Sequence, residues 1–163
     1  MMTTTAIQHD SIIGKEQLLK HWQGHRALTR RVIEAFPEKE LFEFSVAGMR
    51  PFSDLAIELL SIGGPALKAI VDRAATPYSE EGITPKTKAE LLKLWDAETE
   101  TINNYFGRIP HEDFSETFNL FGQYAFPIYQ NILYFVDNEI HHRGQGYVYL
   151  RALGIQPPFF WER

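Results

Sequence analysis

Asn138-Glu-Ile-His-His142-Arg143-Gly-Gln-Gly-Tyr-Val-Tyr-Leu150-Arg-Ala-Leu-Gly154 is the stretch whose reading decides the fold. Together with Ile128, Ile132, Phe135, Val136 and Ile140 upstream, it continues an apolar stripe at three- and four-residue steps, the period of a helix. Pro127 opens that helix, and Gly154, followed by Pro157-Pro158, stops it. Asn138 and His142 stand four residues apart and share one helical face. Two histidines at that spacing grip one metal ion, but here the first of them is Asn.

Working outward, three more helices are expected. The first runs from about Gly14 to Phe36, with Leu18, Trp22, Thr29, Val32 and Phe36 in its stripe and Pro37 as its end. The second follows Pro51 and carries Phe52, Leu55, Ala56, Leu59, Ile62, Ala66 and Ile70, with a kink or break at Gly63-Gly64-Pro65. The third starts at Thr84-Pro85 and uses Leu91, Trp95, Glu98, Ile102, Tyr105 and Phe106 up to about Gly107. Residues 108–126 form a long connection with room for a short strand pair. Four amphipathic segments indicate an all-α four-helix bundle with a long loop between helices three and four. Residues 1–163 make one domain, with a lead-in at 1–13 and an aromatic tail at 155–163. The tail is expected to pack back onto the domain or a partner subunit, because a free Phe159-Phe160-Trp161 would be an exposed apolar patch.

Composition narrows the function. The chain has 163 residues, 44% hydrophobic and 23% charged, which is ordinary globular usage. Sixteen Lys and Arg against 21 Asp and Glu give a net charge of −5, which speaks against a nucleic-acid surface. No apolar run is long enough for a membrane span, and residues 1–10 lack the layout of a signal peptide. The absence of cysteine removes disulfides, zinc-thiolate sites and a cysteine nucleophile. A cytoplasmic location is the expectation.

Residues 138–158 resemble the DinB/YfiT-like family of bacterial four-helix proteins. The family motif looks like His-x-x-x-His-Arg-Gly-Gln, then an apolar helix, Leu-Gly and prolines. This chain has Asn138, His142-Arg143-Gly144-Gln145, Leu153-Gly154 and Pro157-Pro158. The resemblance implies a bundle that binds a divalent metal through three histidines, one on the second helix and a pair on the fourth. By position, His142 matches the last ligand and Asn138 replaces the one before it. The second-helix ligand should fall near residues 59–63, yet no His occurs from Gly48 to Thr76. Ser61 is the nearest match, with Glu58 one turn earlier as a stand-in. Some members of the family resemble thiol transferases that use metal to lower a thiol's pKa.

The chemistry of these residues allows two arrangements. Asn138 and His142 either hydrogen-bond inside the bundle or hold an ion with weaker help than a His pair would give. His141 points about 100° away from His142 on a helix and cannot complete the pair. His21 and His25 form an intact His-x-x-x-His spacing on the first helix. Arg143 and Arg151 suit ion pairs at the edge of the core or an anionic ligand. Gly144 and Gly146 need either a close neighbouring helix or ligand access to justify them. The expected protein is a homodimer of unassigned activity, with a degenerate metal site and no cofactor. Its small-ligand cleft would draw on Glu58, Ser61, Asn138, His141 and His142. The alternative is a divalent-metal-dependent hydrolase or thiol transferase, with zinc or nickel on His142.

Overall fold

A computed structural model describes residues 12–163; apart from Ile12 and Ile13, the expected lead-in lies outside the described residues. The chain forms α1 (Lys15–Ala35), α2 (Glu38–Glu43), α3 (Phe52–Asp72) and α4 (Lys88–Arg108). A single 3-10 turn at His111–Ser115 leads to strands β1 (Thr117–Leu120) and β2 (Tyr124–Pro127), and α5 (Ile128–Ala152) completes the fold. The four long helices, α1, α3, α4 and α5, are the bundle expected from the apolar stripes. Among the described residues no helix is long and apolar enough to cross a membrane.

In the bundle α1 and α3 each pack chiefly against α4 and α5, so α1 lies diagonal to α3 and α4 diagonal to α5. This explains two of the three long connections: the chain crosses the bundle through α2 at the end where Phe36 and Phe52 pack, and through the 3-10 turn and hairpin at the opposite end, where Phe106 and Ile128 pack. The third, residues 73–87, runs back along the bundle because α3 and α4 are parallel. The hairpin is antiparallel, pairing Thr117 with Pro127 and Leu120 with Tyr124. Phe121 and Gly122 have φ of 55° and 74°. A tight hairpin turn of this kind needs positive φ at both central positions. Buried Asn131 on α5 donates to the carbonyls of Phe118 and Phe126, both at 3.3 Å, and ties the hairpin to the bundle.

Two of the expected boundaries shift. Helix α4 begins at Lys88, not at Thr84-Pro85. Thr87 caps it by accepting the Glu90 amide at 3.2 Å, and the Glu90 carboxylate takes the Lys86 amide at 2.7 Å. Thr87-Lys-Ala-Glu90 is a capping box in all but the last detail, and it outcompetes the Thr-Pro signal upstream. Helix α3 also runs unbroken through Gly63-Gly64-Pro65. Tertiary packing offsets the weak local sequence. A Cβ on Gly63 would sit 3.0 Å from Ile102 and 3.3 Å from Trp22, so the glycine admits both side chains. Pro65 lies on the exposed side.

The core has two apolar halves. One gathers Trp22, Ile62, Ile102, Phe106, Ile132 and Phe135; the other gathers Val32, Phe36, Phe52, Leu59, Trp95 and Tyr149. Along α1, α4 and α5 a polar stretch separates them: His25, Arg26 and Thr29; Glu98 and Thr99; Glu139, His142 and Arg143. The tail returns across α1, where Arg163 backs onto Gly24 and Glu162 pairs with Arg31. Its aromatic residues nevertheless stay open, with Phe160 64% and Trp161 62% exposed.

The two glycines of the α5 motif have different environments. A Cβ on Gly146 would lie 2.5 Å from the ring of Phe52, whereas one on Gly144 would meet nothing within 4 Å. Phe52 cannot retreat, because it is fully buried and stacked on Phe36 with centroids 5.0 Å apart. Gly144→Ala should therefore stabilise the protein by up to about 1 kcal/mol through helix propensity. Gly146→Ala should destabilise it by about 1–2 kcal/mol, since overpacking outweighs the same propensity gain. Urea unfolding of the two variants checks the opposite signs.

Candidate functional site

Glu58 on α3 and His142 on α5 face each other, with His142 Nε2 2.8 Å from Glu58 Oε1. Glu58 Oε2 also pairs with Arg50. Burial pushes the Glu58 carboxyl up, but the hydrogen bonds from Arg50 and His142 outweigh it and hold the group below the usual carboxylate range. An ionised carboxylate can only accept, so His142 Nε2 carries the proton of this bond. On the other side of the ring, Nδ1 faces Gln145 Oε1 at 3.2 Å. Asn138 completes the group, its Nδ2 3.5 Å from Glu58 Oε1.

Of the five residues expected around the cleft, Glu58, Asn138 and His142 come together. Ser61 turns away and donates to the Ile57 carbonyl at 2.8 Å within its own helix. His141 is exposed, and its Nε2 accepts from the Gln145 amide at 3.1 Å. No group of three or more His, Asp or Glu suited to a metal ion occurs among the described residues.

A cleft of about 510 Å³ opens in front of Glu58. Its walls come from segments far apart in sequence: Arg50 before α3, Tyr78 and Glu80 in the α3–α4 loop, Phe121 and Tyr124 at the hairpin, and Tyr134 on α5. Arg50 bridges its two carboxylates, pairing with Glu58 and lying 3.6 Å from Glu80. Tyr149 positions the arginine by donating its hydroxyl to the Arg50 carbonyl at 3.0 Å. Tyr78 donates its hydroxyl to Glu80. Sequence reading missed these residues, because no motif marks them and only the long connections between helices bring them together.

The motif's Arg143 lies elsewhere, in the buried polar layer. It donates to His25 Nδ1 at 2.9 Å and to Thr29 Oγ1 at 3.1 Å. His21 and His25 meet, with Nε2 atoms 3.2 Å apart, and the Arg163 guanidinium lies 3.0 Å from His25 Nε2. Burial, together with Arg143, His21 and Arg163, pushes His25 down to about 3, so it is neutral at physiological pH. Arg151 reaches solvent beside Tyr147.

Comparison with known proteins follows the same lines. The DinB family model matches residues 121–162, which hold the hairpin turn, α5 and the tail. A DinB-like protein from Bacillus cereus is 14% identical, with a TM-score of 0.74 over 90% of this chain and 97% of its own. A DinB-like protein from Bacillus subtilis is 19% identical, with a TM-score of 0.71 over 90% of this chain and 99% of its own. No curated protein matches by sequence. The chain is thus similar to the DinB family over its C-terminal segment and shares the helical-bundle fold of DinB-like proteins along nearly its whole length.

Proposed function

We propose that this chain is a cytoplasmic, homodimeric DinB-like protein that holds a small molecule in the cleft over Glu58 and works without a resident metal. The observation that carries this reading is the Glu58–His142 contact at 2.8 Å. A metal-ligating imidazole needs a free lone pair, and His142 Nε2 is protonated toward the carboxylate. Zinc and nickel sites draw on three or more strong donors. Here Glu58 and His142 are joined only by the weak amide of Asn138, and Arg50 already neutralises Glu58. This donor set does not suit a tightly held divalent ion.

Elemental analysis of protein purified without a metal-binding tag tests the reading. The expected result is far less than one zinc or nickel per chain. One ion per chain that His142→Ala removes would overturn it in favour of the metal-dependent hydrolase or transferase.

The homodimer is supported by the outer face of α5 and the tail. Ile140, Val148, Phe159, Phe160 and Trp161 are exposed there. Most of them border a groove of about 350 Å³ beside α5. An apolar surface of this kind marks an association site. Replacing Phe160 and Trp161 together by Ser is expected to convert a dimer to a monomer in light scattering, and an unchanged dimer mass would count against pairing through the tail.

A further inference from the structure

We propose that the cleft over Glu58 takes a small fully methylated ammonium ion, held by aromatic faces and a net negative charge. The proposal rests on the ligand-cleft reading above and names the class of ligand.

Three tyrosines turn toward this opening with much of their surface free: Tyr78 is 41%, Tyr124 52% and Tyr134 47% exposed. The Tyr78 and Phe121 rings meet at 74° with centroids 5.6 Å apart, so they form two walls of a corner. Aromatic faces carry partial negative charge and attract cations. Glu58 and Glu80 add two negative charges to the cleft, and Arg50 returns one positive charge. The balance over these three groups is one net negative charge.

The hydrogen bonds select the type of cation. Glu58 is taken by Arg50 and His142, and Glu80 by the Tyr78 hydroxyl with Arg50 close by. A primary ammonium or a guanidinium would give up more hydration on entering and would have to share carboxylates that already accept from Arg50, His142 and Tyr78. A methylated ammonium has no N–H to satisfy, and needs only a negative potential and polarisable walls. An anion would have to displace a carboxylate from Arg50 against the net charge. A neutral apolar molecule would gain the contacts but none of the electrostatic attraction.

The test is calorimetric titration of the full-length protein with three probes. These are choline, its uncharged isostere bearing a tert-butyl group in place of trimethylammonium, and acetate. Choline is expected to bind about tenfold more tightly than the isostere, the order that cation–π and charge attraction supply together. Tyr134→Leu and Glu80→Gln should each weaken choline roughly fivefold, and added salt should weaken it further. Tyr129→Leu, an exposed tyrosine on α5 that does not line this cleft, should leave choline binding unchanged. Circular dichroism confirms that each variant is folded. If the isostere or acetate binds as tightly as choline and Tyr134→Leu weakens that binding, the cation assignment falls and the ligand cleft stands. If no probe binds, the cation assignment falls, and the metal content of the protein decides the cleft reading separately.

Discussion

Glu139→Leu is expected to destabilise the protein by about 3–5 kcal/mol, the cost of leaving buried charge without its partner. Glu139 is fully buried among four neighbours. Arg26 lies 3.9 Å away, the Thr29 hydroxyl 2.7 Å and Trp22 Nε1 3.2 Å, while Arg143 contributes its charge from slightly further. Burial pushes the Glu139 carboxyl up, and Arg26, Thr29, Arg143 and Trp22 pull it back. Arg26 is equally enclosed. It lies over the Trp95 ring at 3.6 Å and donates to the Trp95 carbonyl at 3.0 Å. An arginine does not shed its proton in a protein, so removing Glu139 strands the positive charge of Arg26 and leaves Arg143 with no nearby carboxylate. For a chain of this length the loss corresponds to a fall in Tm of roughly 10 °C. Urea unfolding and thermal melts measure it. Combining Glu139→Leu with Arg26→Met should recover part of the loss, since an apolar pair of similar volume avoids the desolvation cost. A double variant as unstable as the sum of the two single ones would sink the assignment of the loss to unpaired charge.

Glu98→Gln should have the second largest effect, and its sign depends on pH. Glu98 on α4 accepts the Gly64 amide at 2.5 Å and lies against the small surface that Gly64 leaves on α3. Burial pushes its carboxyl up to about 7, against the opposing pulls of the Gly64 amide and Arg26. A carboxyl raised in the folded state binds more protons there than in the unfolded chain, so its contribution to stability falls as pH rises between about 4.5 and 7. Above that window the group is ionised in both states and the loss is complete, at most about 3 kcal/mol for a shift of this size. Gln mimics the protonated acid and keeps an acceptor for Gly64. The variant should match the parent near the low end of the window and be more stable above its high end. Unfolding curves of both proteins at several pH values read this directly, and a constant difference across pH would rule out the linkage.

Much of the architecture was legible from local patterns. The stripe from Ile128 to Leu150, Pro127 before it and Gly154 after it placed α5 to within two residues, because a long helix with strong punctuation needs no tertiary help. The stripe from Leu18 to Phe36 did the same for α1. Two choices between local signals were decided otherwise. Thr87 with Glu90 captured the start of α4, because a side-chain cap satisfies amides that Thr84-Pro85 leaves open. Gly63 and Gly64 stayed helical, because Trp22, Ile102 and Glu98 fill the space that their missing side chains leave.

The site divides in the same way. Spacing alone placed Asn138 and His142 on one face, while the family resemblance pointed on α3 to Ser61 first and to Glu58 as a stand-in. Spacing could not say that Ser61 would spend its hydroxyl on its own helix, since Ser61 and Glu58 differ by less than one turn and only the rotation of α3 against α5 separates them. Nor could it assemble Arg50, Tyr78, Glu80, Tyr124 and Tyr134 into one cleft.

Sequence by itself determined the bundle and the motif helix, because apolar periodicity and helix punctuation act over a few residues. Tertiary structure alone decided what the motif residues meet. With α1 diagonal to α3 and α4 diagonal to α5, two connections cross the bundle, one at each end. The later connection carries Phe121 and Tyr124 to α5, where they meet Tyr78 and Glu80 from the α3–α4 loop in front of Glu58. Contacts between residues so distant in sequence depend on how the helices pack, and no local pattern encodes them.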